Sequence, residues 1–184
     1  MLVLASQSPR RREILERAGI PFIVRVSPVE EIRAPGEHAR DYVERLALAK
    51  AHAVACHADE VVLGADTTVV VDGDVVLEKP VDHADAARMI RLLSGRSHQV
   101  FTGICLRTSG RFMIDLEETR VHFVVMSDRE IADYVASGEP MDKAGAYGIQ
   151  GRASKFIDRV EGCYLNVMGL PMSLVYRRLK DLVD

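Results

Sequence analysis

Apolar and polar positions follow two rhythms along this chain. Leu2 to Leu4 is a short unbroken apolar run, the pattern of a strand covered on both faces. Ser8, a good N-cap, and Pro9, suited to the first helical position, then open a helix predicted to run to about Ala18, with Gly19 as its stop. Ile23 to Val26 reads as a second strand, and "SPVEEIRAPGE" as a loop punctuated by Pro28, Pro35 and Gly36. From about His38 to His57, Tyr42, Val43, Leu46, Ala53 and Val54 gather on one face of a long helix. "VVLGADTTVVVDGDVVLEKP" predicts a strand interrupted at Gly64-Ala65-Asp66, a hairpin turn at Asp72-Gly73 and a return at Val75 to Leu77.

Asp82 caps a predicted helix to Leu93, ended by Ser94-Gly95. Strands from about Gln99 to Arg107 and Arg111 to Val125 follow. "SDRE", Ser127 to Glu130, is a capping box for a helix ending near Gly138. "EPMDKAGAYGIQG" reads as a glycine-rich loop, Phe156 to Val160 and Leu165 to Val167 as short strands, and Pro171 as the opening of a last helix. Hairpins mixed with crossovers predict an α/β fold on a mixed sheet. A length of 184 residues, with no repeat, low-complexity segment or linker, predicts one domain spanning 1–184.

Composition narrows the function. Hydrophobic residues make up 48% and charged residues 28%, ordinary for a soluble globular protein. A net charge of −3 argues against a general nucleic-acid binder, so any phosphate recognition must be local. Cys56, Cys105 and Cys163 are widely spaced, without a CxxC pair, and read as reduced cysteines. With no secretory leader pattern and no apolar run of membrane-spanning length, the expectation is a cytoplasmic protein without a membrane partner.

Several residues sit where their chemistry needs explaining. Arg10, Arg11 and Arg12 crowd the first turn of the first helix, an end that already carries partial positive charge. With the free N–H groups of that turn and the hydroxyls of Ser6 and Ser8, Arg10 and Arg11 would make an anion pocket. The plain alternative is a solvated basic face offset by Glu13 and Glu16. Lys50 falls on the apolar face of its helix, so it must snorkel to water or meet an anion, a bound phosphate being the sharper choice. Asp66 interrupts an apolar strand and needs a cation, a metal or donors, and Gly64 beside it suggests a bulge that aims the side chain. Glu78-Lys79 ends the hairpin, and pairing as written would bring Lys79 toward Asp66. Glu30 and Glu31 lie in a loop and could ligate a divalent cation, or be merely solvated. His98 reads as structural. Gln150 carries a donor and an acceptor on one amide and could read a base edge.

"LASQSPRR", "RLALAKA", "GADTTVVVDGDVVLEKP", "LSGRSHQVFTG", "YVASGEPMDKAGAYGIQG" and "GLP", in that order from about residue 3 to 175, resemble the Maf family of nucleoside triphosphate pyrophosphatases. The resemblance implies a two-lobed α/β domain around a twisted mixed β-sheet, similar to inosine triphosphate pyrophosphatases, with the active site in the cleft between lobes. It implies hydrolysis of the α–β phosphate bond with a divalent cation, magnesium or manganese. Carried over by motif, Asp66 is the base, Lys50 and Lys79 are the catalytic lysines, and Arg10 and Arg11 meet phosphate beside Ser6 and Ser8. Glu31 joins Asp66 as a metal ligand, and Arg10, Thr67 and Gln150 fall on specificity positions. "DKAGAYGIQG" is similar to the branch acting on dTTP and UTP, as opposed to 7-methyl-GTP. The resemblance also implies a housecleaning role, a homodimer and, as a rival of another class, a nucleotide sensor that restrains septum formation without hydrolysis.

Overall fold

Leu2–Leu4 form β1, all three buried, flanked in parallel by β2 (Phe22–Val24) and β3 (Val61–Val71). A strand with parallel neighbours on both sides and cover on both faces has no polar face to show, hence the unbroken apolar run. A computed structural model describes residues 1–183. Its elements continue with α1 (Pro9–Arg17), α2 (Ala39–His52), β4 (Val75–Leu77), α3 (His83–Leu93), β5 (Ser97–Arg107), β6 (Phe112–Phe123), α4 (Asp128–Ala136), β7 (Ile157–Glu161), α5 (Tyr164–Val167) and α6 (Met172–Val183).

Among the described residues the strands make a seven-stranded sheet in the order β2-β1-β3-β5-β6-β7, with β4 on β3. Antiparallel β3–β4 and β6–β7 pairs beside the parallel ones make it mixed, as expected for this α/β fold. The chain divides into two compact units, one of 1–67, 102–117 and 165–184, the other of 68–101 and 118–164. The core of the first unit includes Val3, Ala5, Ala47, Ala51, Val62 and Cys105. The second buries Ala86, Met89, Ile90 and Leu93 of α3 and Ile131, Tyr134 and Val135 of α4.

Local signals predicted local structure well. Ser8 Oγ accepts the Arg11 amide, Asp82 accepts the Asp85 amide, and Ser127 and Glu130 form the capping box. The hairpin sets Val71 opposite Val75 and Val69 opposite Leu77, with positive φ at Asp72 and Gly73. Three expectations need correcting. The long helix stops at His52 rather than His57, because side chains take over the carbonyls of its expected last turn. Arg107 donates to Ala51 O at 3.0 Å and Val54 O at 2.7 Å, and Arg25 to Ala55 O at 2.9 Å. Leu165 to Val167 is part of a single helical turn, α5, since three apolar residues carry no period to separate strand from helix.

Gly64 is the third correction. It makes no bulge and lies within continuous β3, where a Cβ would stand 2.2 Å from the Ala47 carbonyl and 2.7 Å from the Ala51 nitrogen. The missing side chain lets α2 lie directly on β3, and this brings the end of α2 over Asp66. Gly64→Ala is expected to push α2 off the strand at a cost of about 3 kcal/mol. Urea unfolding should show a lower midpoint at unchanged m.

Candidate functional site

The first unit gathers the residues read as an anion pocket and those read as carboxylate chemistry. After β1, the Ala5 amide donates to Leu63 O at 2.8 Å, which ties the β1–α1 turn to β3. Ser6 is buried, and its Oγ accepts from the Ser8 amide at 3.2 Å and from Arg11 Nη1 at 3.1 Å. Arg11 is itself buried, though Arg10 and Arg12 beside it are not. Its Nε donates to Gly169 O at 2.8 Å and its Nη2 to Thr67 Oγ1 at 3.2 Å. Thr67 Oγ1 also meets Thr102 Oγ1 at 2.9 Å and Gly169 O at 3.4 Å. Thr67 Oγ1 thus has three polar contacts within the chain. Burial pulls the Arg11 guanidinium down from its ordinary value, and Arg10 adds to that. The carboxylates of Asp66 and Glu31 push it back. A guanidinium stays charged across this range.

Lys50 neither snorkels nor stands alone. Its side chain is 7% exposed, and Nζ donates to Asp66 Oδ1 and to Glu31 Oε1, both at 2.6 Å. Asp66 is 8% exposed and Glu31 46% exposed, so one carboxylate is sealed against the strand and the other reaches in from the loop. Lys50 lies in the last turn of α2, where the carbonyl ends of the helix also favour a cation. Burial pushes the Asp66 carboxyl above its ordinary value, against the pull of Lys50 and Arg11, and Glu31 adds a smaller push in the same direction. A carboxylate so placed is a better proton acceptor than one in water.

The loop that carries Glu31 is fastened by residues that no local sequence signal singles out. From α2, Arg45 clamps Glu37 at 2.6 and 2.8 Å and donates to Ile32 O at 2.9 Å. Arg33 Nε donates to Glu37 O at 2.8 Å. The Arg45 guanidinium holds the Glu37 carboxyl down at about 2. The buried Gly169 carbonyl and Thr102 were likewise not legible as site residues, because their partners are distant in the chain.

Lys79 and Gln150 belong to the second unit. The hairpin pairing ends at Leu77, so Lys79 follows two residues beyond it, exposed, while the Glu78 carbonyl accepts the Gly145 amide at 3.2 Å. Gln150 is exposed on a turn closed by the Gly151 amide donating to Gly148 O at 3.0 Å. His98 is structural, as expected. Its Nε2 lies 2.8 Å from the Tyr147 hydroxyl, its ring packs edge-on against Phe123 and Tyr147, and burial pulls its pKa down to about 3, so it is neutral.

Among the described residues no three His, Cys, Asp or Glu side chains form a metal-binding group. Asp66 and Glu31 still suit a hard divalent cation. Their oxygens touch one ammonium nitrogen, so they lie within two hydrogen-bond lengths of each other. An ion such as magnesium takes one or two carboxylates and fills its other positions with water and substrate phosphate. Among the described residues no helix is long and apolar enough to cross a membrane.

Residues 1–182 match the family described as Maf-like protein. The dTTP/UTP pyrophosphatase of Koribacter versatilis (strain Ellin345) is 52% identical over 180 residues, 97% of this chain and 93% of that one. That of Symbiobacterium thermophilum is 53% identical over 172 residues, 93% and 88% of the two chains. That of Bacillus mycoides (strain KBAB4) is 47% identical over 181 residues, 98% and 94%. Among solved structures, a HAM1 protein from Coxiella burnetii aligns with TM-score 0.49 at 19% identity, over 83% of this chain and 89% of that one. A nucleoside-triphosphatase / dITP/XTP pyrophosphatase from Mycobacterium abscessus aligns with TM-score 0.41 at 14% identity, over 68% and 75%. The family match runs nearly end to end, and relatives at about half identity cover almost all of the chain: this chain belongs to the Maf-like protein family.

Proposed function

We propose that this protein is a nucleoside triphosphate pyrophosphatase that hydrolyses dTTP and UTP to the monophosphate and pyrophosphate. The observation that carries the reading is the buried Asp66 carboxylate, raised in pKa and held on Lys50, in the same unit as the Ser6–Arg11 turn. The names of the relatives, dTTP/UTP pyrophosphatase at 47–53% identity, support the substrate.

In this reading the triphosphate meets the N-terminal turn of α1. Ser6 and Ser8 Oγ already accept from backbone or Arg11, so toward phosphate oxygens they act as donors. Arg10 and Arg11 attract the polyanion, and Thr67 serves through its contact with Arg11. Asp66 takes a proton from the water that attacks the α-phosphorus. The bond from that phosphorus to the bridging oxygen breaks, and pyrophosphate leaves with its charge offset by Lys50 and Lys79. Asp66 and Glu31 would hold a magnesium or manganese ion, which supplies charge neutralisation on the phosphates when bound. Gln150 reads the pyrimidine edge. The three cysteines are free thiols, in keeping with a cytoplasmic home, and the resemblance supports a homodimer.

The test is turnover of dTTP, UTP, dCTP, dATP, dGTP and 7-methyl-GTP with magnesium and with manganese, followed by product analysis. The expected products are dTMP, UMP and pyrophosphate. Nucleotide binding without pyrophosphate release would make the protein a sensor. Turnover of 7-methyl-GTP in preference to pyrimidines would move it to the other branch.

A further inference from the structure

The turn that presents Gln150 is held by a brace of buried Tyr134 and half-buried Glu139 that the proposed reaction does not use. Tyr134, on α4, is 3% exposed, and its hydroxyl accepts the Gly148 amide at 3.3 Å and donates to Glu139 Oε1 at 3.0 Å. Glu139 Oε2 accepts the Arg152 amide at 2.9 Å. One carboxylate thus ties the backbone on both sides of Gln150, through Tyr134 on the near side and directly on the far side. Glu139 is fixed in turn. Its amide donates to Ser137 Oγ at 3.3 Å, and its carbonyl accepts Lys143 Nζ at 2.7 Å. The carboxylate also fills the space under the turn. A Cβ on Gly151 would stand 2.4 Å from Oε1 and 2.6 Å from Oε2. Ile149 and Tyr147 are buried on the same segment, so Gln150 is the residue of the turn that faces outward.

We propose that Glu139 and Tyr134 are positioning residues for base selection, holding the Gly148–Gly151 turn so that the Gln150 amide meets a pyrimidine edge at fixed height and angle. The inference rests on the reading of Gln150 given above. An amide distinguishes O4 from a 4-amino group only if its own oxygen and nitrogen cannot drift or swing, because a mobile amide accommodates either. Burial chiefly, with Glu139 adding to it, raises the Tyr134 hydroxyl above its ordinary pKa, so it keeps the proton it gives to Glu139.

The experiment compares wild type, Glu139→Ala, Glu139→Gln and Tyr134→Phe. Steady-state kinetics on dTTP and dCTP give the selectivity, and the inhibition constant of inorganic tripolyphosphate reports a ligand with no base. The expected result for Glu139→Ala and Tyr134→Phe is a loss of about tenfold in the dTTP over dCTP ratio of kcat/KM. The loss should lie in KM for dTTP, with kcat and the tripolyphosphate constant within about twofold of wild type. Glu139→Gln, which keeps one acceptor oxygen, should recover part of the ratio. Unchanged selectivity in Tyr134→Phe, which removes one oxygen atom and leaves the core filled, would overturn the proposal, as would a tripolyphosphate constant that weakens in parallel with dTTP. Amide hydrogen exchange at Gly148 and Arg152 reads the brace without any turnover. Exchange should quicken at least tenfold in Glu139→Ala, and an unchanged rate sinks the brace itself. Wild type without activity on dTTP or UTP would be a failure of the proposed reaction, and the exchange rates would still decide the brace.

Discussion

Replacing Lys50 with methionine is expected to cost the fold about 3–5 kcal/mol at neutral pH, because it strands the Asp66 carboxylate in a sealed site. A Lys50 that met a bound phosphate, the sharper of the two readings from sequence, could be lost at the expense of activity alone, with the fold intact. The structure alters that expectation. The ammonium contacts two carboxylates, one of them buried, and Arg11 is the remaining buried cation acting on Asp66. For a chain of this length, thermal unfolding should fall by about 10 °C or more. The deficit has a pH signature. Without its ammonium, Asp66 would keep a folded pKa above the unfolded value, so the folded state would hold the extra proton. Stability is then full below the unfolded pKa and is lost as pH rises through the folded one. The Lys50→Met protein should therefore approach wild type in acid and diverge from it toward neutrality. Adding Asp66→Asn should restore much of the loss at neutral pH, with coupling between the two sites beyond about 1 kcal/mol. Additive effects would show that Lys50 and Asp66 do not depend on each other.

Asp66→Asn alone should lower kcat by about 10³-fold or more while leaving nucleotide binding in place. The asparagine oxygen can still accept from Lys50, and Lys50 keeps its bond to Glu31, so the local geometry survives. The amide cannot take a proton from water. The substitution also removes one negative charge from a site proposed to take a polyanion, so dTTP affinity measured by equilibrium dialysis should hold or tighten. A kcat within about twofold of wild type would take Asp66 out of the chemistry. A large loss of affinity with kcat preserved would recast it as a ligand for the cation that accompanies the nucleotide.

How much of this was legible in the chain follows the distance over which each signal acts. Ser8, Asp82 and the Ser127–Glu130 box bond within three or four residues, and each appears as its spacing predicts. The Asp72-Gly73 turn depends on its own φ angles, and it too was readable. Asp66 and Lys50 could be flagged because a charge among apolar neighbours is costly, yet that argument says only that a partner exists. It did not say that each is the other's partner, sixteen residues apart, with Glu31 as the third member. Gly64 was visible as an oddity in a strand, but a bulge and a close helix leave the same mark in one dimension. The stop of α2 at His52 depends on Arg107 and Arg25, which only the folded chain brings to those carbonyls. The brace of Glu139 and Tyr134 left no local sequence signal, because its bonds turn on how a glycine-rich segment folds back on α4.

Arg11 and the Gly169 carbonyl that fixes it stand 158 positions apart. During synthesis, β1 and α1 emerge first and can form early, but the guanidinium lacks that anchor until the turn after α5 has left the ribosome. Closing so long a loop is slow compared with local helix formation. A nascent chain that has not yet reached Gly169 should therefore carry a loosely held Arg11, and the Ser6–Arg11 turn should be among the last parts of the molecule to become fixed.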